Sequence, residues 1–437
     1  MARSQTPLEQ FVYALHHENV DQVRELLATY PDVRAAINDP ISHFQSRPVA
    51  RATKNLPLLD VLLEYGADLN LKSAWWAGGF GLLEHGITPA EAAPLIGRGA
   101  VVDVFAAAHL GMFDRLRELV EDESSLVRAR GGDGKTPLHC ATTVAIARYL
   151  LDKGADIEAR DVDHESTPAQ YLVREAPDVT RLLVERGAWF DIFIAVGLRD
   201  HSLVERCLRE DPDSHGYRTW HGKYTVAHDG KRPATTAEIG DRRGDIYRWV
   251  FGHNVSAIDV ARDLGDHHIE RVLLSHATPM QRLLAACSRA DHSVAEAIVA
   301  GYPGIVATIS PDDQRLIADK AHANDTAAVA LMLDLGFDPI ARGVDNWEPI
   351  RWAAFHGNAE MTKRLLAYSP PINVPDPSYG GTLLGACIYG SVHGWHSQTG
   401  DFKTTAQILI EAGERVDPSR VPTGRDDVDA VLKKYLS

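Results

Sequence analysis

The residues with the most chemical capacity are Asp161-Val162-Asp163-His164-Glu165. Asp163, His164 and Glu165 together can act as metal ligands or as an acid/base set. The same run also reads as a lengthened turn in which Asp163 caps the following helix. A second candidate is the pair His393 and His396, separated by Gly394-Trp395. Two imidazoles three residues apart can share one metal on a helix, but the glycines around them oppose a helix. The other reading makes Trp395 a plug between helices, with both histidines bonded to backbone. Residues 213–256 hold His215, His221, His228 and His253, whose spacing matches no zinc pattern. They also hold Trp220, Tyr247 and Trp249, which join Trp75, Trp76, Trp347 and Trp395 as candidate binding aromatics. Aromatics facing solvent make contact surface at low entropic cost; in 213–256 a local mini-core is the competing reading. There is no HExxH, P-loop, GxGxxG or GxSxG. No metal site is assigned, and no cofactor is indicated.

The elements that must position these residues repeat. The clearest unit runs Asp133-Gly134-Lys135-Thr136-Pro137-Leu138-His139-Cys140-Ala141, then Val144 to Ile157 through Leu150-Leu151 and Gly154. Thr136 is a good N-cap, and Pro137 follows at the first helical position, where a missing N–H is harmless. Gly154 is suited to close the second helix in the left-handed conformation. Similar endings recur at Gly66, Gly99, Gly187, Gly336 and Gly413. Gly66 to Gly99 and Gly154 to Gly187 are each 33 residues. One helix pair cannot cover its own apolar face, so such units must stack.

The turn, T-P-L-H, short helix and L-L-x-x-G-A-D-I ending resemble the ankyrin repeat, and the resemblance covers nearly the whole chain. It resembles a degenerate, bacterial-type array of about a dozen helix pairs. It implies an all-α solenoid with short β-hairpin fingers, and a His139 that bonds back to its own turn and to neighbouring repeats. Fingers are expected near 128–135, 158–166, 338–347 and 372–381. They are excluded after Gly99 and Gly187, where the chain enters the next helix directly. A family finger would read D-x-D-G-x-T-P-L. Here His164-Glu165-Ser166 adds one residue and removes the turn glycine.

Residues 213–256 fit no repeat. Alternating aromatic and β-branched residues at 217–226 and 246–251 predict a β-rich insertion that is not needed for folding. The organisation expected is an array over 1–212, the insertion over 213–256, a second array over 257–417 and a capping helix over 418–437. Residues 70–86, with Trp75-Trp76 beside three glycines, and 389–401 are two further irregular stretches.

The net charge is −15 and basic residues form no stripe, which argues against nucleic acid and anionic membranes as partners. Cys140, Cys207, Cys287 and Cys387 sit singly in apolar helical contexts and read as buried free thiols. No signal peptide or long apolar run appears, so a cytoplasmic location is expected. The leading expectation is an interaction protein binding a protein partner on the concave repeat surface. The alternative is an enzyme or small-molecule binder whose pocket, lined by Trp75, Trp76, His164, Trp249, His393 and His396, is covered by the insertion.

Overall fold

The computed structural model describes residues 6–41, 45–376 and 379–436. They fall into two compact units, one up to residue 269 and one from residue 270 onward. Both are built from short helices whose starts and stops are written locally. Thr6 and Thr88 open helices with capping boxes closed by Glu9 and Glu91. Thr278 does the same with Gln281. The glycines at the predicted helix ends all take positive φ, from 88° at Gly154 to 106° at Gly413. The last carbonyls of each helix lack intrahelical partners; at Gly154 the turn is closed by Gly154 N–H to Leu151 O and Ala155 N–H to Leu150 O.

In the first unit, Val104–His109 packs on Phe113–Asp122, Pro168–Glu175 on Pro177–Glu185, and Ile192–Gly197 on His201–Glu210. The first helices of these pairs also stack on one another, through the short 3-10 turn Pro137–Cys140. In the second unit, Leu316–His322, Pro349–Phe355 and Leu383–His393 stack in order, backed by Thr326–Leu335, Ala359–Leu366 and Phe402–Glu411. The stacked helices are rich in buried alanine, including Ala106, Ala107, Ala195, Ala318, Ala353 and Ala354. Small side chains let helix axes approach closely. Asp426–Tyr435 packs on Phe402–Glu411 as a last helix.

The expected β structure is corrected. Among the described residues there is no strand, and the one pairing is an isolated antiparallel bridge between Arg218 and Ser256. Three of the fingers are turns closed by backbone bonds from Gly131 to Lys135, Asp161 to Ser166 and Gly343 to Trp347; the fourth, expected near 372–381, includes residues 377 and 378, which lie outside the described residues. These three turns are too short to build a ladder. In the insertion, positive φ at Trp220 and Gly222 interrupts the alternation, and Tyr247–Val250 is one helical turn. Its aromatic and β-branched residues answer to burial. Tyr224 and Tyr247 are 0 % exposed, each with its ring 5.0 Å from that of Phe193. Tyr247 Oη donates to Asp191 Oδ1 at 2.9 Å. The insertion therefore finishes the core of the first unit.

All four cysteines are buried and none is in a disulfide. Burial pushes the Cys140 thiol up to about 11 and Cys207 up to about 12, so neither is a ready nucleophile. Among the described residues no helix is long and apolar enough to cross a membrane.

Candidate functional site

The turns 131–135 and 161–166 lie side by side. Val162 and Asp163 N–H both donate to Asp133 O, at 2.8 and 3.2 Å. An arginine braces each turn. Arg130 Nη1 donates to Gly134 O and Arg160 O, both at 2.6 Å. Arg160 Nη1 donates to Glu165 O and Arg242 O, both at 2.9 Å. The turn 131–135 turns over at Asp133, φ 59°, while the longer one turns over at Glu165, φ 51°. Glu165 thus takes the left-handed position a glycine would favour.

Asp161 is the hub of the second turn. Its Oδ2 accepts from His164 N–H at 2.7 Å and Tyr171 Oη at 2.9 Å, and lies 3.2 Å from His164 Nδ1. Its Oδ1 accepts from Ser166 N–H at 2.7 Å. Burial opposes the Asp161 charge most strongly, yet His164, His139 and the Ser166 amide together outweigh it and hold the carboxyl below its ordinary value. Burial likewise opposes an imidazolium at His164, but Asp161, then Asp245 and Asp133, raise it. Asp133 and Asp245 are pushed up to about 6, chiefly by burial, with neighbouring carboxylates adding to the shift. Asp133, Asp163 and His164 each bring one potential ligand atom within 4.8 Å of the others.

The insertion is latched onto this turn. The Glu165 carboxylate accepts from Ala227 N–H at 2.9 Å and His228 N–H at 3.0 Å. His228 Nδ1 accepts from Gly230 N–H, so its Nε2–H donates to Asp163 O. Asp245 N–H donates to His164 O at 2.9 Å. The Trp76 ring lies 4.9 Å from that of His228. Lys135 runs along one wall, its Nζ 5.3 Å from the Phe80 ring and 5.7 Å from Tyr171.

His139 ties the turns to the helices. Its Nδ1 accepts from Thr136 N–H at 3.1 Å, and its Nε2–H donates to Ser166 O of the next turn at 3.1 Å. Burial pushes it down to about 4, so it stays neutral. The Ankyrin repeat family model matches residues 133–162, the span from the first turn to the start of the second. The chain thus carries an ankyrin repeat. It is 30% identical over 148 residues to Alpha-latrocrustotoxin-Lt1a of Latrodectus tredecimguttatus, covering 33% of this chain and 8% of that one. It is 24% identical over 166 residues to Ankyrin repeat and SAM domain-containing protein 6 of Rattus norvegicus, covering 34% and 19%. The Mus musculus protein of the same name is 24% identical over 170 residues, with the same two shares. The chain thus spans no more than 19% of the length of these relatives.

Within the ankyrin framework the candidates from the sequence separate. Asp163, His164 and Glu165 lie together in the first unit, near Trp76, which packs against Trp75 at 6.3 Å. His393 and His396 belong to the second unit and face different rings, Tyr389 and His356, at 4.7 and 4.9 Å. Trp347 is buried against Trp352 at 4.5 Å, whereas Trp395 stacks on Trp352 at 6.0 Å and remains 65 % exposed. Trp220 is half-buried beside His253, and Tyr247 is buried in the core. Trp249 is 60 % exposed. Asp133, Tyr171 and Asp245 were missed by sequence reasoning. Asp133 and Tyr171 carried a signal: Asp133 precedes Asp163 by one repeat, and Tyr171 falls one helical turn beyond Thr167. Asp245 carried none, because only the fold of the insertion brings it to His164.

Proposed function

We propose that this ankyrin-repeat protein is a cytoplasmic interaction module that binds a protein partner on the turn-bearing, concave face of its repeats. Ankyrin repeats as a class support a protein-interaction role. One observation carries the reading further: each unit holds a large indole out to solvent and pins it there. Trp249, 60 % exposed, is flanked by the Arg248 guanidinium at 5.3 Å and the His253 ring at 6.0 Å. Trp395, 65 % exposed, is flanked by Trp352 and by His322 at 5.2 Å. A pre-ordered, exposed tryptophan loses little entropy on binding and is a common source of binding energy. Four thiols outside any disulfide agree with a reducing compartment.

The test is affinity capture with the full chain and with Trp249→Ala, Trp395→Ala and the double variant. Both side chains are exposed, so melting and circular dichroism should be unchanged. A protein retained by the wild type should be lost by about tenfold or more in at least one variant, the scale of a binding hot spot. Equal retention by the double variant sinks the proposal. So does a retained species that is nucleic acid at about 50 mM salt, where electrostatic affinity is strongest, because the −15 charge opposes it.

The small-molecule reading rests on a single observation, the convergence of Asp133, Asp163 and His164 in the first unit.

A further inference from the structure

We infer that Asp133, Asp163 and His164 form a binding site for one divalent transition-metal cation, with Asp161 and Tyr171 orienting the imidazole. The site lies between two consecutive ankyrin turns and is independent of partner binding.

Three features of the site lead there. The first is the donor set. Two carboxylates and one imidazole, with ligand atoms within 4.8 Å of one another, are oxygen and nitrogen donors of the kind that suit Zn²⁺ or Mn²⁺. Ligands about 2.1 Å from one ion lie about 3.4 Å apart, so the three need to close by roughly an ångström. Side-chain torsion supplies that, because the backbones are already locked together by the Val162 and Asp163 amides on Asp133 O.

The second is an acid with no protein partner. Asp133 is only 7 % exposed, yet its carboxylate accepts no hydrogen bond and forms no ion pair among the described residues. It lies within ligand distance of Asp163 and His164. A nearly buried carboxylate that meets no protein donor depends on the little solvent that reaches it, and a cation between these side chains would give it a partner. Asp245 is paired through one oxygen only, to Arg248 at 3.2 Å. It is 1 % exposed, its amide is bonded to His164 O, and its Oδ1 has no hydrogen-bond partner.

The third is charge. Asp133, Asp161, Asp163 and Asp245 bring four carboxylates. Against them stands the Arg248 guanidinium, 3.2 Å from Asp245, since a His164 that ligates a metal is neutral. No lysine ammonium comes within ion-pair distance among the described residues. The carboxylates outnumber the cations, and one divalent cation offsets two of their charges. The hydrogen-bonded chain from Tyr171 through Asp161 to His164 is the kind of outer shell that holds a ligating histidine in place.

The test uses the full chain, stripped with a chelator, dialysed, and titrated calorimetrically with Zn²⁺ and separately with Mn²⁺. The wild type should bind one equivalent of at least one of them, and saturation should raise its melting temperature. Asp163→Asn, Asp133→Asn and His164→Gln should each weaken that equivalent by about tenfold or more and abolish the melting shift. The half-buried Asp163 variant is the one least exposed to a folding defect, and circular dichroism checks all three. Absence of any equivalent in the wild type overturns the inference. An equivalent that survives unchanged in folded Asp163→Asn and Asp133→Asn also overturns it, since the metal then sits elsewhere.

Discussion

Single residues in this protein do their work through burial. His356 is 1 % exposed and donates from Nε2 to His322 O at 2.9 Å. The rings of Trp352, Phe355, Trp395 and His396 surround it. Burial, reinforced by His396 and His322, pushes it from 6.5 down to about 4. A histidine whose folded value is depressed contributes stability above its unfolded value, and that stability is lost as the pH falls through the folded value. The window is therefore pH 6.5 to about 4, and the loss below it is on the order of 3 kcal/mol. Melting temperature measured against pH should fall less steeply across that window for His356→Gln than for the wild type. Parallel curves would show that His356 is not the group responsible. His139 obeys the same rule in the first unit. The resemblance to the ankyrin repeat already implied its two bonds from the T-P-L-H motif.

Elements here were legible where their signals are local. The helix end at Gly154 follows from a left-handed position, φ 88°, with only Arg128 Nη2 near a would-be Cβ, at 3.6 Å. Space is available, so Gly154→Val should be opposed by backbone conformation alone, losing about 1 kcal/mol or more. An unchanged denaturation midpoint would refute this helix end. The insertion was misread because aromatic and β-branched content signals a half-buried surface as well as a strand. Tyr224 and Tyr247 fill that surface against Phe193. The expectation that the insertion is dispensable for folding is replaced by its opposite. Tyr224→Ala should lower stability by about 3–5 kcal/mol, the usual range for emptying a buried aromatic site. A loss below about 1 kcal/mol in chemical denaturation would mean the insertion is peripheral.

At the scale of the molecule the chain divides into two compact units near residue 270. A break at residue 212 would cut through the first one. A fragment of residues 1–269 should melt cooperatively by circular dichroism, while 1–212 should melt lower or broadly. The shorter piece leaves Phe193 uncovered and Asp191 without its Tyr247 hydrogen bond. Equal, sharp melts for both fragments would show that the repeats before residue 212 are self-sufficient.

The sequence by itself determined the repeat: its caps, its left-handed helix ends, its 33-residue spacing and the family they mark. These depend on neighbours within a turn or two, where backbone sterics and capping bonds act. It also singled out Asp163, His164 and Glu165, because an inserted residue in a repeated turn stands out against its copies. Only the tertiary structure decided what surrounds them. It brought Asp133 from the preceding repeat and Asp245 from the insertion, 30 and 81 residues from His164-side neighbours Asp163 and His164 respectively. It assigned His393 and His396 to a different unit. Contacts over such separations depend on how apolar faces are covered and on which buried carboxylates are left without donors. Neither is written in local spacing.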